Sequence, residues 1–414
     1  MAIPTKKEIM DYSPFNSGGK EELPEFRRNL YSELEKAAGN RYAISVTGLR
    51  RIGKSTMLKQ ILSKKGGAYF SFDEQRYQNV ESLCAVIEAF LGDGAKTIVL
   101  DEIGNVPEWG GTIKKYYDRG GVKFFLSGSC SLKVMQGAES LAGRLFDHYL
   151  PPMQFDEYLR MDGKAQGKSL WKMQAHEEEL EAFMRRGAFP ELHNDTEADA
   201  KKYVNGLADK IVYDDIPSRW NVEHRAKLAD LAKYCATFSS SMLSVASVSK
   251  TLGISRGTID DYLLYLAKSY LVFVVREEGS YARALQKSKK AFVSCPAIYS
   301  ALSDSFSEGA MAEVAVFDRL CAWGKEVKFY REGGREVDFI YEGVPIEVKF
   351  RRYIKDEDFS GLEHYLKARK KEFGIMVTKD VFDVKKIGKM RVLQVPLSVF
   401  LSAGNFGVLL EARE

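Results

Sequence analysis

Long apolar runs are missing from this 414-residue chain. No unbroken apolar stretch approaches the roughly 18 residues that a membrane-spanning helix requires, so no membrane span is expected. Cysteine is scarce. The five thiols, Cys84, Cys130, Cys235, Cys295 and Cys321, are scattered without C-x-x-C spacing, which argues against a zinc site or a disulfide framework and fits reduced thiols in a cytoplasm. Histidine is equally sparse, and His148, His176, His193, His224 and His364 show no ligand spacing; they read as ordinary structural or surface residues. Charge of one sign is not in excess either: the net charge of +4 is too mild to indicate nucleic acid by itself. The first twenty residues are polar and lack the apolar core of a signal peptide, so no secretory leader is expected. What the chain does have is length and a hydrophobic content of 45%, enough for large cores and two or three domains.

The most informative stretch is Gly48-Leu49-Arg50-Arg51-Ile52-Gly53-Lys54-Ser55, a full match to the phosphate-binding loop G-x-x-x-x-G-K-[ST]. Glycines let backbone N–H groups wrap phosphates, a lysine adds a point charge near the outer ones, and the serine hydroxyl suits Mg²⁺. The context agrees. Tyr42 to Val46 reads as a buried strand, and Thr56 to Leu62 continues as a helix whose N-terminus would face the phosphates. Gly48, Arg50, Arg51, Ile52, Gly53, Lys54, Ser55 and Thr56 are therefore the expected nucleotide contacts, with ATP and Mg²⁺ as cofactors.

A second half-site follows. Lys96 to Leu100 is an apolar strand that ends in Asp101-Glu102. Asp101 is expected to hold Mg²⁺, directly or through water, and Glu102 to orient or deprotonate the attacking water. After a lead-in over residues 1–35, strands are expected at 42–46, 68–72, 97–101 and 123–127, alternating with helices, which predicts a parallel α/β sheet. One strand lies between the loop strand and the Asp101 strand in sequence, an order that fits the branch of P-loop proteins containing the AAA+ ATPases. Ser127, at the end of the last strand, is placed to touch a γ-phosphate or position water. Arg144 is a candidate finger, acting in cis or from a neighbouring subunit of a homo-oligomer.

Residues 151–222 read as mostly helical, the position of a lid. The next region changes character: a short helix at 245–252, a tight turn at Gly253-Ile254-Ser255, a longer helix from Arg256 to Tyr270, then the strand Leu271 to Val275. This is the arrangement of a winged helix-turn-helix. Arg256, Thr258 and Lys250 would face DNA, whereas Asp260 and Asp261 on the same helix oppose tight phosphate contact, and the same arrangement also serves for docking a partner protein.

In the C-terminal part, Arg335 to Ile340 and Val344 to Lys349 form a predicted hairpin turned at Gly343. Glu347 and Lys349 are two apart on a strand and so share a face. Asp338 on the partner strand can meet Glu347 to hold a metal ion, Lys349 can activate water, and Glu313 on an upstream helix can complete the set. From Lys349 to Arg391 the chain carries thirteen Lys and Arg against seven Asp and Glu, a local excess that suits a phosphate backbone.

Taken in order, these pieces resemble a large prokaryotic family of AAA+ ATPases with a C-terminal region of unknown function, built from a winged helix and a restriction-endonuclease-like domain. Further matching pieces are Asn105-Val106-Pro107-Glu108-Trp109, Leu141-Ala142-Gly143-Arg144, Pro151 to Leu159, Gly187-Ala188-Phe189-Pro190-Glu191 and Asp215-Ile216. The resemblance implies ATP binding at Gly53, Lys54 and Ser55, hydrolysis by Asp101 and Glu102, and a finger or sensor role for Arg144. Gly104, Ala188 and the stretch Ala291 to Pro296, which lacks an Asp before its proline, depart from the family pattern without touching the phosphates. The expected architecture is an α/β chain: a P-loop AAA+ parallel-sheet core with its lead-in at 1–150, a helical lid at 151–222, a winged helix-turn-helix at 223–300 and a restriction-endonuclease-like α/β domain at 301–414. The expected function is ATP hydrolysis coupled to DNA contact, with metal-dependent cleavage as a further possibility at Asp338, Glu347 and Lys349. The alternative is a nucleotide-dependent switch that docks a partner protein through an inactive nuclease-like domain.

Overall fold

The computed structural model describes residues 2–131, 138–164, 167, 169–173, 175–279 and 289–413. The chain divides into two compact units, Met1–Leu150 with Lys268–Tyr270, and Pro151–Ala267 with Leu271–Glu414.

The first unit is built on five strands: β1 (Ala43–Thr47), β2 (Ala68–Ser71), β3 (Thr97–Asp101), β4 (Lys123–Gly128) and β5 (Leu145–Tyr149). They lie in the order β2-β3-β4-β1-β5, and every neighbouring pair is parallel. The sequences explain this. β1, β2 and β4 carry Ile44, Val46, Phe70, Phe124, Phe125 and Leu126 almost fully buried, as expected where a parallel sheet is covered by its crossover helices. Those helices span Lys54–Lys65, Val80–Gly92 and Trp109–Arg119; the Asn79 side chain caps the second by accepting from the Ser82 N–H at 2.8 Å, a bond that satisfies one of the orphan donors of the first turn. Because all five strands run the same way, the segments after β1, β3 and β4 emerge at one edge of the sheet, where open α/β sheets place their ligands.

Four of the strands coincide with the expected ones to within a residue or two. The fifth, β5, was not expected. Leu145-Phe146-Asp147-His148-Tyr149 has two polar residues inside five, because it is an edge strand. Among the described residues it pairs only with β1, and Asp147 turns toward that neighbour to accept from the Ser45 hydroxyl at 2.6 Å.

The second unit holds a nine-stranded mixed sheet. Its strands are β6 (Met242–Leu243), β7 (Val272–Glu277), β8 (Lys289–Val293), β9 (Val327–Glu332), β10 (Arg335–Tyr341), β11 (Val344–Lys349), β12 (Phe373–Thr378), β13 (Asp383–Ile387) and β14 (Met390–Pro396). Their order is β13-β14-β12-β11-β10-β9-β7-β8-β6. Residues 155–161, 177–186 and 197–210 are helical, as are Arg225–Thr237, Val245–Leu252, Arg256–Lys268 and Glu308–Ala322. Between the helix pair at 245–268, Gly253 closes the first helix at φ 67° and Ser255 caps the second through the Thr258 N–H. The strands that follow this pair do not stand apart from the C-terminal hairpin: β7 pairs in parallel with β9, so residues 242–396 contribute to one sheet. The helix Ser360–Arg369 lies close on β10, since a Cβ on Gly361 would fall 2.3 Å from the Glu336 carbonyl oxygen.

No helix among the described residues is long and apolar enough to cross a membrane.

Packing in the first unit centres on Phe70, fully buried with ring neighbours Tyr12 at 4.3 Å, Phe72 at 5.1 Å and Tyr77 at 5.8 Å. Phe70→Ala is expected to destabilise this unit by about 3–5 kcal/mol through the cavity it leaves, read as a lower midpoint in urea unfolding.

Candidate nucleotide site and a buried carboxylate cluster

The loop after β1 has the backbone its sequence demands. Gly48 sits at φ 151° and Gly53 at φ 92°, and a Cβ on Gly48 would lie 2.3 Å from the Leu150 carbonyl oxygen and 2.8 Å from Ile52 Cδ1. No other residue type fits there. Gly53 is the residue before the helix Lys54–Lys65, so the free N–H groups of its first turn open into the loop, the arrangement that favours an anion. Ile52 is fully buried and anchors the loop. Ser55 and Thr56 are partly buried at the helix start, Arg50 is partly buried, and Arg51 is exposed with φ 62°.

Lys54 is 5% exposed, and its ammonium donates to the carbonyls of Gly48 at 3.0 Å and Leu49 at 2.7 Å. Burial pushes this ammonium down, while the Glu102 and Asp101 charges act to hold it up. Asp101 ends β3 with both oxygens engaged: Oδ2 accepts from the Tyr69 hydroxyl at 2.7 Å, and Oδ1 from the Ser127 hydroxyl and from the Glu102 N–H at 3.1 Å. Glu102 follows in the left-handed region, φ 49° and ψ 35°, a conformation costly for a side chain this long and typical of functional positions. Its Oε2 accepts from the Ser129 N–H at 3.1 Å and the Ser129 hydroxyl at 3.2 Å. Burial raises the Glu102 carboxyl, opposed by the Lys54 charge and reinforced by Asp101. Lys54, Asp101, Glu102 and Ser127 are thus gathered at one sheet edge, all buried.

Arg144 is not gathered with them. Its carbonyl accepts from the Ala43 N–H at 2.9 Å, immediately before β5, and its guanidinium pairs with Asp118 at 2.9 Å. β5 runs parallel to β1, so this end of the strand is at the sheet edge opposite the loop, roughly 15 Å away at ~3.3 Å per residue. A finger acting in cis is therefore corrected: the arginine starts the strand on the wrong side.

Two residues without a signal in the sequence, Tyr69 and Arg28, belong to this site. Tyr69 holds Asp101, and Ser129, in the polar Ser127-Gly128-Ser129 end of β4, holds Glu102. Arg28, 5% exposed, donates to the Ile52 carbonyl from the lead-in segment. That segment is also tied to the loop helix by Gln60, which donates to Pro24 O at 2.7 Å and Phe26 O at 2.9 Å, and by the Lys59–Glu21 ion pair at 2.8 Å. No spacing in the sequence signals these bonds, since they join positions far apart in the chain.

In the second unit, the hairpin β10–β11 brings Asp338, Glu347 and Lys349 together. The Val348 N–H donates to Asp338 Oδ2 at 2.9 Å, the Asp338 N–H to Glu347 Oε2 at 3.4 Å, and Lys349 Nζ lies 2.5 Å from Glu347 Oε1. Glu313 on the helix Glu308–Ala322 is partly buried beside them; burial and the Asp338 charge push its carboxyl well upward. Burial and Asp338 push Glu347 up to about 8. Burial acts to lower Lys349, but the Glu347 and Asp338 charges outweigh it and hold the ammonium above its ordinary range. Yet among the described residues no three His, Cys, Asp or Glu side chains are grouped so as to hold a metal ion. A residue outside the expected set explains part of this. Lys290 of β8, 2% exposed, pairs with Glu336 at 2.5 Å and reaches Asp338 at 3.7 Å. The cationic stretch from 349 to 391 is also largely paired, Arg351 with Asp358, Arg352 with Asp380, Lys379 with Glu308, Lys385 with Asp356 and Arg369 with Glu278.

Comparison with known proteins agrees with the first unit's geometry. Residues 40–159 match the family model of an AAA domain, and residues 177–308 and 308–398 match two domains of unknown function, DUF8612 and DUF4143. An uncharacterised protein of Methanocaldococcus jannaschii is 26% identical over 305 residues, 66% of this chain and 62% of that one, so the match spans less than two thirds of the relative's length. A second from the same organism is 27% identical over 72% of this chain and 71% of its own. An uncharacterised protein of Haemophilus influenzae is 22% identical over 89% and 97%. Among solved structures, the Walker-type ATPase of Pyrococcus abyssi superposes with a TM-score of 0.46 at 15% identity, over 70% of this chain and 99% of that one. The RuvB Holliday junction branch migration motor of Thermotoga maritima does so with 0.28 at 13%, over 59% and 88%. The strand order and loop of the first unit, with its family match, define a AAA-type P-loop ATPase fold.

The position of Arg144 makes one outcome specific. Arg144→Ala, assayed at dilutions that keep the chain monomeric, is expected to hydrolyse ATP at the unsubstituted rate; a loss there would show the arginine reaching its own loop.

Proposed function

We propose that this chain binds and hydrolyses ATP, and that its C-terminal region, a winged helix joined to a restriction-endonuclease-like domain, contacts DNA. The observation that carries the first part is the convergence of Lys54, Asp101, Glu102 and Ser127 on the loop that Gly48 and Gly53 shape.

The residues fit the cofactor. The Lys54 ammonium, satisfied by two loop carbonyls, is already inside the loop where outer phosphate oxygens would replace them. The amides of Gly53 to Thr56 would wrap the phosphates. Ser55 would hold Mg²⁺ by its hydroxyl, and Asp101, its oxygens engaged by Tyr69 and Ser127, would reach it through water. The bound metal supplies positive charge to the outer phosphates. Glu102 acts as the base: it orients water and takes its proton onto the carboxylate, and burial raises its affinity for that proton. Ser129 keeps the carboxylate aimed. Arg144 serves as a finger only from a neighbouring subunit of a homo-oligomer. The five free cysteines and the lack of a spanning helix among the described residues support a cytoplasmic setting.

For DNA, the support is the helix pair Val245–Leu252 and Arg256–Lys268, followed by the hairpin β7–β8, with Arg256 and Lys250 exposed. Asp260, exposed on the same helix and 3.7 Å from Lys289, opposes close phosphate contact. A second reading, a nucleotide-dependent switch that docks a partner protein and carries an inactive nuclease-like domain, is favoured by the Lys290 ammonium inside the carboxylate cluster.

Lys54→Ala is expected to lose ATP affinity in a titration, whereas Glu102→Gln should retain it and turn over at least about a hundredfold more slowly; unchanged turnover would remove the base assignment. DNA contact is expected to weaken steeply as salt rises, and an affinity indifferent to salt would favour protein docking. Incubation of single- and double-stranded DNA with Mg²⁺ or Mn²⁺, beside Lys349→Ala, separates the two readings of the tail: cleavage that the substitution abolishes identifies a nuclease, and its absence with ATP hydrolysis intact identifies a binding module.

A further inference from the structure

In the second unit two ammonium groups engage carboxylates of the β10–β11 hairpin, Lys290 with Glu336 and Asp338, and Lys349 with Glu347. Lys349 is 29% exposed in its side chain and bonds Glu347 at the rim. Lys290 is different. Its side chain is 3% exposed, 2.5 Å from Glu336 and 3.7 Å from Asp338, with its Nζ also over the Phe329 ring at 5.4 Å. Its backbone has little freedom to withdraw the charge, because β8 is hydrogen-bonded on both sides, Lys290 standing opposite Val275 of β7 and Met242 of β6. Nearby, Ser240 sits at φ 70° with its N–H on the Ala291 carbonyl at 2.9 Å. An ammonium so enclosed must keep its carboxylate partners, since an unpaired buried charge is strongly unfavourable. A hard divalent cation needs the same oxygens at close range and several at once.

We infer that Lys290 fills the cation position of the Glu336–Asp338 carboxylate cluster and keeps divalent metal out of it. Strand β8, three places from β10 in the sheet order, thus supplies from within the chain the charge that a bound ion would bring, and the cluster is complete without one. The inference rests on reading Asp338, Glu347 and Lys349 as a nuclease-like set only for the choice of ion to test.

The experiment is a Mn²⁺ titration of the full-length, nucleotide-free chain, following free Mn²⁺ by electron paramagnetic resonance. It compares the unsubstituted protein with Asp338→Asn, Lys290→Met, and the two changes combined. Any Mn²⁺ held by the first unit appears equally in all four. The expected result is that Asp338→Asn alone changes nothing. Lys290→Met should bind Mn²⁺ at least about tenfold more tightly, worth ~1.4 kcal/mol, and the combined variant should lose that gain. Mn²⁺ binding by the unsubstituted chain that Asp338→Asn weakens would overturn the inference, as would a folded Lys290→Met that gains nothing. If Lys290→Met does not fold by circular dichroism, the comparison of the unsubstituted chain with Asp338→Asn still decides. A Lys290→Met chain that gains the metal yet never cuts DNA would leave this inference standing and remove the nuclease-like reading instead.

Discussion

The Leu150 carbonyl oxygen lies where a side chain on residue 48 would begin, and the rest of the nucleotide site follows from that contact. Only glycine lets the chain leave β1 so close to the strand-end backbone. That exit path turns the loop back over Ile52, starts the next helix at Lys54, and points the first-turn N–H groups of that helix into the loop. Lys54 is then drawn in beside Asp101 and Glu102, and burial shifts Lys54 and Glu102 toward their neutral forms. The lead-in segment reinforces the same loop from outside through Arg28 on the Ile52 carbonyl. A geometry fixed by backbone alone therefore sets the electrostatics of side chains at the start of the loop helix and at the end of β3.

The two carboxylate groups in this chain are stabilised by opposite means. Asp101 is surrounded by neutral donors, the hydroxyls of Tyr69 and Ser127 and one backbone N–H. Such donors satisfy its lone pairs, and the Lys54 ammonium, bonded to two loop carbonyls, acts on it only through its charge. Asp338 and Glu336 meet an ammonium instead. The charge is cancelled locally, and the attraction for an external ion is spent inside the fold. Similar residue types are thus bonded by hydroxyls in one place and paired directly with lysine in the other, with an ammonium charge near both.

How much of this was legible in the sequence depends on how local the cause is. The phosphate loop, the Asp101-Glu102 strand end and the β10–β11 hairpin were legible because each is set by residues a few positions apart, through glycine freedom or the two-residue period of a strand. β5 was not, since its alternation is broken by Asp147, whose partner Ser45 lies a hundred residues earlier. Arg144 had two ways to act as a finger, in cis or from a neighbouring subunit, and the geometry disfavours the first for a related reason. Its distance from Ser127 along the chain is short, but the return to the start of a parallel strand carries it to the far edge of the sheet. Tyr69, Arg28 and Lys290 act across long sequence separations and carry no spacing of their own. Lys290 in particular looks like an ordinary strand-opening lysine beside Lys289 until the fold folds β8 toward β10.

The pairing of β7 with β9 has a mechanical consequence. The described strands from β6 to β14 belong to one sheet, in which β7 pairs with β9, so the strands after the helix pair at 245–268 and the C-terminal hairpin share one load path. Severing the chain between residues 300 and 301 would not release two finished modules. It would leave the β7 edge and the β9 edge each with a row of unpaired backbone groups, ready to zip onto any other strand. The ladder makes this part of the second unit open as one cooperative block, with the loss of either half felt at once by the other.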